Sequence, residues 1–403
     1  MALPPPGNDA NVDDLVRYYS GLMYTVKEIC GFLLCTHGVI VSLESIKRIK
    51  RRLGLKTNMC ESPLDVIVEK ILTLRKEGYS NLGYRSMWRM LNVFHRIRAT
   101  QQTVRNCLSI IDEQGVYRRS RRRLHRRQYS VEGPNFLMHI DGYDKLKPFG
   151  VAIHGAIDGF SRKILWLKSG LSNNNPKYIA YFYLAYLKST KKLPTVIRSD
   201  RGTENVLVRD LQICLRMHHR DHYRGVNSFL VGRSSGNQRI ERLWGTLRLS
   251  FTDFWKAKFE GMKDMGIFDE GNVLHIECLR YCYMNIIQNQ LDVFMQTWNS
   301  HRIRSQRDVT NVHGIPVVLY HQPELFGTSD YSCELPCSEE TVDELMDEFT
   351  EEFPTHGCSY DFRMVLQHLS GIHPDQIPII ESMVDADEMF TALVHSCDVI
   401  NRH

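Results

Sequence analysis

The chain has 403 residues, 43% of them hydrophobic, with 51 Lys and Arg against 46 Asp and Glu. That length supports two to four folded units with sizeable cores, and no stretch nears the roughly 18 consecutive apolar residues of a membrane span. The 11 cysteines are scattered without CxxC pairing, which argues for a reducing compartment and against a disulfide framework. Residues 1–10 are Pro-rich and lack a signal-peptide core, so the expectation is a soluble, intracellular chain.

In chain order, Thr25 and Glu28 form a capping-box pattern ahead of Ile29, Phe32 and Leu33, and Gly38 closes that helix. Ser42 then reads as the N-cap of a second helix. Ile46, Ile49 and Leu53 lie on one of its faces, Lys47, Arg48, Lys50, Arg51 and Arg52 crowd the others, and Gly54 stops it. Two short helices joined by a turn, the second studded with base, is the helix-turn-helix pattern whose later helix enters the major groove. Residues 1–57 are therefore expected to bind DNA, with Lys47, Arg48, Lys50 and Arg51 as contacts. The basic second helix carries that reading, since helical hairpins are common in proteins that bind nothing.

Residues 58–117 read as a second helical DNA-binding unit. Ser62 and Pro63 open a helix with Ile67, Ile71 and Leu74 inside and Gly78 after it, and a basic-aromatic helix follows over 84–91. A third begins near Thr100, with Val104, Leu108 and Ile111 inward and Gly115 as its end. On it Gln101, Gln102, Arg105 and Asn106 are residue types that read base edges or phosphates. Cys30, Cys35, His37 and Cys60 lack the spacing of a zinc site, so no structural zinc is expected. Seven of the ten residues 118–127 are arginine: Arg118, Arg119, Arg121, Arg122, Arg123, Arg126 and Arg127. This linker, 118–133, is suited to neutralising phosphates and equally to nuclear import.

Beyond it, the apolar runs 136–140 and 193–197 each lead to an Asp followed closely by glycine. Asp141 and Asp200 are thereby placed at or just past the ends of buried strands. Glu241 comes from a helix, because Ile240, Leu243, Trp244 and Leu247 follow the i, i+3, i+4, i+7 spacing. Singly, an Asp before Gly is a turn residue and a helical Glu is solvated. Together, three carboxylates in this order suit in-line displacement at phosphorus. There two Mg2+ ions stabilise charge on the attacking and leaving oxygens, and hard octahedral Mg2+ takes carboxylate ligands. Strands over 151–157 and 163–167 and a helix over 177–187 complete the region. Asp158 is expected to be structural at a hairpin tip, and Glu204 to sit in a first helical turn. Glycines bound the loop 232–236 before the Glu241 helix, on which Asn237 and Arg248 are candidate DNA contacts.

The stretch from about 134 to 304 resembles the retroviral integrase and DDE transposase superfamily, most closely the integrase core domain of mobile-element proteins. The resemblance rests on Gly133-Pro134-Asn135, His139-Ile140-Asp141-Gly142, Ile157-Asp158-Gly159-Phe160-Ser161-Arg162 and Ser199-Asp200-Arg201-Gly202-Thr203-Glu204-Asn205, followed by Asn237-Gln238-Arg239-Ile240-Glu241-Arg242-Leu243-Trp244 and Trp298-Asn299-Ser300-His301-Arg302. It implies an α/β, RNase H-like core, a mixed five-stranded sheet flanked by helices, over 134–305. It further implies Asp141, Asp200 and Glu241 as the catalytic, metal-binding triad, two Mg2+ or Mn2+ ions per site, and DNA 3' ends joined to target DNA by transesterification. The interval of forty residues between Asp200 and Glu241 is a few longer than in retroviral integrases. The tandem helical units look like the end-binding domains of transposases.

Residues 306–403 change character. No Lys or Arg occurs over 308–362, and Val342, Leu345, Met346 and Phe349 share one helical face within an acidic block. The expectation is an acidic, partly helical extension, by default a solvated tail, with packing on the basic front of the molecule or docking of a protein partner as the alternatives. The whole reads as a nuclear DNA-joining recombinase, at least dimeric because two ends meet one target. The alternative is a host-adopted, non-catalytic DNA-binding regulator that keeps the fold.

Overall fold

The computed structural model describes residues 10–55, 60–120, 130–232, 236–303, 312–354 and 356–400. The chain divides into two compact units, one of residues 1–133 with 297–330 and one of residues 134–296 with 331–403. The sequence reading divides the chain otherwise: here the two helical stretches before residue 134 fall in one unit together with 297–330, and 331–403 belong with the sheet.

In the first unit, α1 (Val12–Gly21), α2 (Val26–His37) and α3 (Leu43–Arg52) enclose Leu15, Val16, Tyr19, Ile29, Phe32, Leu33 and Ile46. The capping box forms in full, with Thr25 N donating to Glu28 Oε2 at 2.8 Å and Glu28 N to Thr25 Oγ1 at 3.3 Å. Gly38 takes the left-handed conformation that ends α2. Helix α1 was not foreseen. Asn11 caps it by accepting from Asp14 N at 3.0 Å, and its Tyr19 stacks on Phe32 at 4.7 Å. Helices α4 (Leu64–Leu74), α5 (Tyr84–Arg89) and α6 (Gln101–Ile111) follow, with Thr100 capping α6. Gly115 does not end α6 but lies within α7 (Glu113–Ser120). There its missing Cβ leaves room for the Asp112 carboxylate, which pairs with Arg75 at 3.3 Å.

The second unit is built on a sheet of β1 (Leu137–Tyr143), β2 (Ala152–Asp158) and β3 (Ile164–Gly170), with β5 (Val196–Ser199) and β6 (Phe229–Val231), in the order β3-β2-β1-β5-β6. The first three strands are antiparallel; β5 and β6 run parallel to β1. Asp158, fully buried at the hairpin tip, accepts from Asn135 N, Ser161 N and Ser161 Oγ at 2.7–2.8 Å, the structural role expected of it. Between β3 and β5 lies α8 (Pro176–Thr190); β4 (Lys192–Leu193) forms a separate short pair with β7 (Cys333–Glu334). One sheet face packs on α8 and α9 (Val206–Leu215) through Met138, Ile140, Ala156, Ile197, Tyr183, Leu187 and Leu211. The other receives α10 (Gln238–Leu247), followed by α11 (Asp253–Asp264) and α12 (Val273–Ser300). Gln288 of α12 closes the outer edge of β3, accepting from Ser169 N at 2.8 Å and donating to Leu167 O at 3.2 Å.

The short α13 (Pro316–His321) belongs to the first unit, where neighbouring Ile315 and its own Val318 enter the α1–α3 cluster. The acidic helix α14 (Glu339–Phe349) is not a solvated tail. Val342 is 1% exposed in the α8 core, Lys188 pairs with Asp343, and Lys191 pairs with Glu339 at 3.2 Å. The chain then lays Phe353 on Tyr178 at 4.2 Å, while Tyr181 Oη donates to Glu352 at 2.9 Å. Two further helices, α15 (Tyr360–Ser370) and α16 (Met383–Ile400), complete the unit. Tyr283 of α12 donates to Asp387 at 2.6 Å.

Candidate polynucleotidyl transfer site

Asp141 lies within β1 rather than past its end, opposite Gly155 of β2. Alternation along the strand turns Asp141 and His139 toward α10 while Met138 and Ile140 face α8. A Cβ at Gly155 would stand 2.8 Å from the Trp244 ring, so the glycine is what lets that indole come so close to β2. From there Trp244 Nε1 donates to Asp141 Oδ2 at 2.8 Å, and the ring also meets Tyr143 at 5.0 Å.

Asp200 follows directly on β5, and its Oδ1 accepts from Gly202 N at 3.0 Å. Glu241 projects exposed from the first turn of α10, whose Ile240, Leu243, Trp244 and Leu247 are buried against the sheet. The three acids feel one another. Burial, followed by the charges of Asp200, Glu241 and Glu204, pushes the Asp141 carboxyl up to about 7, against the pull of the Trp244 hydrogen bond. Burial and then Asp200 also raise Glu241.

Among the described residues no three His, Cys, Asp or Glu side chains stand close enough to hold one ion between them. Asp141 and Asp200 instead direct oxygens at protein donors, Trp244 Nε1 and Gly202 N. The donor chemistry nevertheless fits a hard divalent cation: it is all carboxylate oxygen, and the repulsion that adds to burial in raising Asp141 is what an added positive charge relieves.

Asn237, expected to face DNA, is 1% exposed. Its Oδ1 pairs with His139 Nδ1 at 2.5 Å and its Nδ2 donates to Ile140 O at 3.0 Å, so both ends of the amide pin α10 to β1. Arg248 is exposed, at the start of a π-helical turn, Arg248–Thr252, that follows α10. In α3, Lys47, Arg48 and Arg51 are exposed and Lys50 is half-buried; Lys47 is tied to Glu44 at 2.7 Å. Arg121, Arg122, Arg123, Arg126 and Arg127 lie outside the described residues, as do the side chains of Arg118 and Arg119 at the end of α7.

Two residues near the site escaped a DNA or metal assignment. Glu204, in the turn Thr203–Asn205 before α9, folds back over Gly202 and is raised by burial and by Asp200 and Asp144. The D-x-G-x-E spacing is its sequence signal. Arg198 stands beside His139 in the sheet, and Cβ atoms at Gly232 or Gly236 would collide with its guanidinium. Its signal is position: two residues before Asp200, it shares that residue's side of the strand.

A mixed five-stranded sheet of this order, flanked by helices, is an RNase H-like fold. The family model of the integrase core domain matches residues 128–325. That stretch is an integrase core domain, and it supports a place for this chain in the integrase and DDE transposase superfamily. No curated protein matches the chain.

Proposed function

We propose that the chain is a DNA-joining recombinase that transfers DNA 3' ends to target DNA by direct transesterification. The observation that carries this reading is the electrostatic coupling of Asp141, Asp200 and Glu241 across three separate elements of an integrase core. Burial is the larger part of what raises Asp141 to about 7, and the charges of Asp200, Glu241 and Glu204 add to it, which an isolated surface acid does not experience. In this reading Asp141, Asp200 and Glu241 hold two Mg2+ or Mn2+ ions, which supply charge stabilisation to the attacking and leaving oxygens. Trp244 fixes the Asp141 carboxylate, and Asn237 holds α10 so that Glu241 reaches the same space. Arg248, the α3 bases and the arginines of 118–127 engage DNA phosphates. The reaction joins two ends to one target, so the working form is a dimer or larger, and the arginine run suits nuclear import. The acids Glu340, Glu344 and Glu348 stay exposed on α14 and suit a basic protein partner.

A second reading, a DNA-binding regulator that keeps the fold without catalysis, draws on the absence of a three-ligand cluster among the described residues. One assay separates them. Purified protein with Mg2+ or Mn2+ and duplexes of the flanking end sequence should join 3' ends to plasmid DNA, and Asp200→Asn should not. No joining by either protein, with DNA binding intact, leaves the regulator.

A further inference from the structure

The α4–α6 unit carries a surface that the joining reaction does not use. On α6, Val104, Cys107 and Leu108 are buried, whereas Gln101, Gln102, Arg105, Asn106 and Ser109 are exposed. Their i, i+1, i+4, i+5, i+8 spacing makes one polar strip along the helix. Gln102 Nε2 donates to Asn106 Oδ1 at 2.8 Å, so the two amides are held in register. The Arg105 guanidinium lies 5.9 Å from the Tyr84 ring, and Arg85 lies 5.0 Å from the same ring. Arg96 and Arg98 are exposed in the turn that leads into the helix. The strip itself bears no acid. Glu61, beside its start, is spent on the cap, accepting from Thr100 N at 2.5 Å and Thr103 Oγ1 at 2.8 Å.

The contrast with α3 is chemical. Its exposed basic groups are lysine and arginine side chains with no amide among them, a dense positive charge suited to phosphates of any sequence. On α6 the amides add paired donors and acceptors, which match adenine N6/N7, to the double donor of Arg105, which matches guanine O6/N7 in the major groove. In a helix-turn-helix the second helix enters that groove while the first crosses the backbone, and α5 precedes α6 through the short turn that holds Arg96 and Arg98.

We propose that the α6 strip is the sequence-reading surface of this protein: Gln102, Arg105 and Asn106 meet base edges of duplex DNA, and Arg85, Arg96 and Arg98 meet the flanking phosphates. The inference rests on the recombinase reading only in taking duplex DNA as the partner. The test is selection from random duplexes by the full chain in EDTA, where no joining can occur. A short motif should be enriched. Gln102→Ala and Arg105→Ala should each relax the preference at one or two adjacent base pairs by about 10- to 100-fold. Affinity for an unrelated duplex should hold within about threefold and the melting temperature should not move. The double substitution Arg48→Ala, Arg51→Ala should weaken all duplexes alike and flatten the salt dependence. No enriched motif, or a motif that survives both α6 substitutions, overturns the proposal. A selected motif in a protein that never joins DNA leaves it standing and overturns the recombinase instead.

Discussion

The two faces of the central sheet come from the same strands and differ in what holds them. Toward α8 and α9 stand Met138, Ile140, Ala156 and Ile197, in a core of aliphatic and aromatic side chains. Toward α10 stand the residues between them: His139, Asp141, Gly155 and Arg198. The first face is held by contact area, which has no direction. The second adds aimed hydrogen bonds to the apolar contacts of α10: Trp244 to Asp141, and Asn237 to His139 and Ile140 O. A period of two lets one strand serve stability on one side and chemistry on the other. The polar side bears the desolvation of its own groups, and that is where the perturbed acids lie.

The sharpest break in this comparison is expected from Glu241→Gln. It should lower DNA joining on the order of a thousandfold or more, while the melting temperature stays put because the side chain is exposed. Joining at the wild-type rate would remove the polar face from the chemistry. Next in size, Trp244→Ala should cost about 3–5 kcal/mol in urea unfolding, through the cavity it opens and the hydrogen bond it removes. Trp244→Phe keeps most of the ring and should cost about 1–2 kcal/mol. Equal losses in the two variants would mean that α10 is held by packing alone, like the opposite face.

The placement of Asp141 on a strand, Asp200 just after one and Glu241 on a helix was legible because the signal is local: an apolar run, an Asp, a glycine, or an acid set in a helical stripe. So were β2, β3 and α8, which the structure bounds within about three residues of the expectation. What the sequence hid depends on distance along the chain. Asn237 looks like a DNA contact until the 98 residues between it and His139 are folded away. Trp244 looks like core, which it is, and nothing within α10 announces the bond it makes to Asp141. The acidic block of α14 reads as solvated because its lysine partners, Lys188 and Lys191, lie on α8, about 150 residues earlier. Helix α1 was missed though Asn11 and its apolar spacing were in view.

Each face also buries one neutral histidine, and these should set the acid limit of the fold. Burial pulls His139 down to about 4 on the α10 side and His154 down to about 3 on the α8 side, where Trp166 Nε1 donates to its Nδ1 at 3.1 Å. Both lie below the unfolded value of 6.5, so the unfolded chain binds the extra protons. Their contribution is complete above pH 6.5 and lost as pH falls toward 4. A loss of about 3 kcal/mol per histidine is the order expected. Unfolding free energies across that window test it, with His139→Gln and His154→Gln each removing part of the slope.

Asp141 should act with the opposite sign and a smaller size. Its native carboxyl sits at about 7 against an ordinary 3.8, so between those values the folded protein holds a proton that the unfolded chain has released. The stabilisation is present below pH 4 and lost as pH rises through 7. After screening at a partly open site it amounts to about 1–2 kcal/mol. Asp141→Asn keeps an acceptor for Trp244 and cannot ionise, so it should raise the melting temperature at pH 8 by a few degrees and leave it nearly unchanged at pH 4. A bound divalent cation offsets the same repulsion. Mg2+ or Mn2+ should therefore stabilise the wild type more at pH 8 than at pH 5.5, and Asp141→Asn hardly at either. An ion-induced shift that is the same at both pH values, or undiminished in Asp141→Asn, would mean that the cation binds elsewhere and that the polar face of the sheet is strained for some other reason.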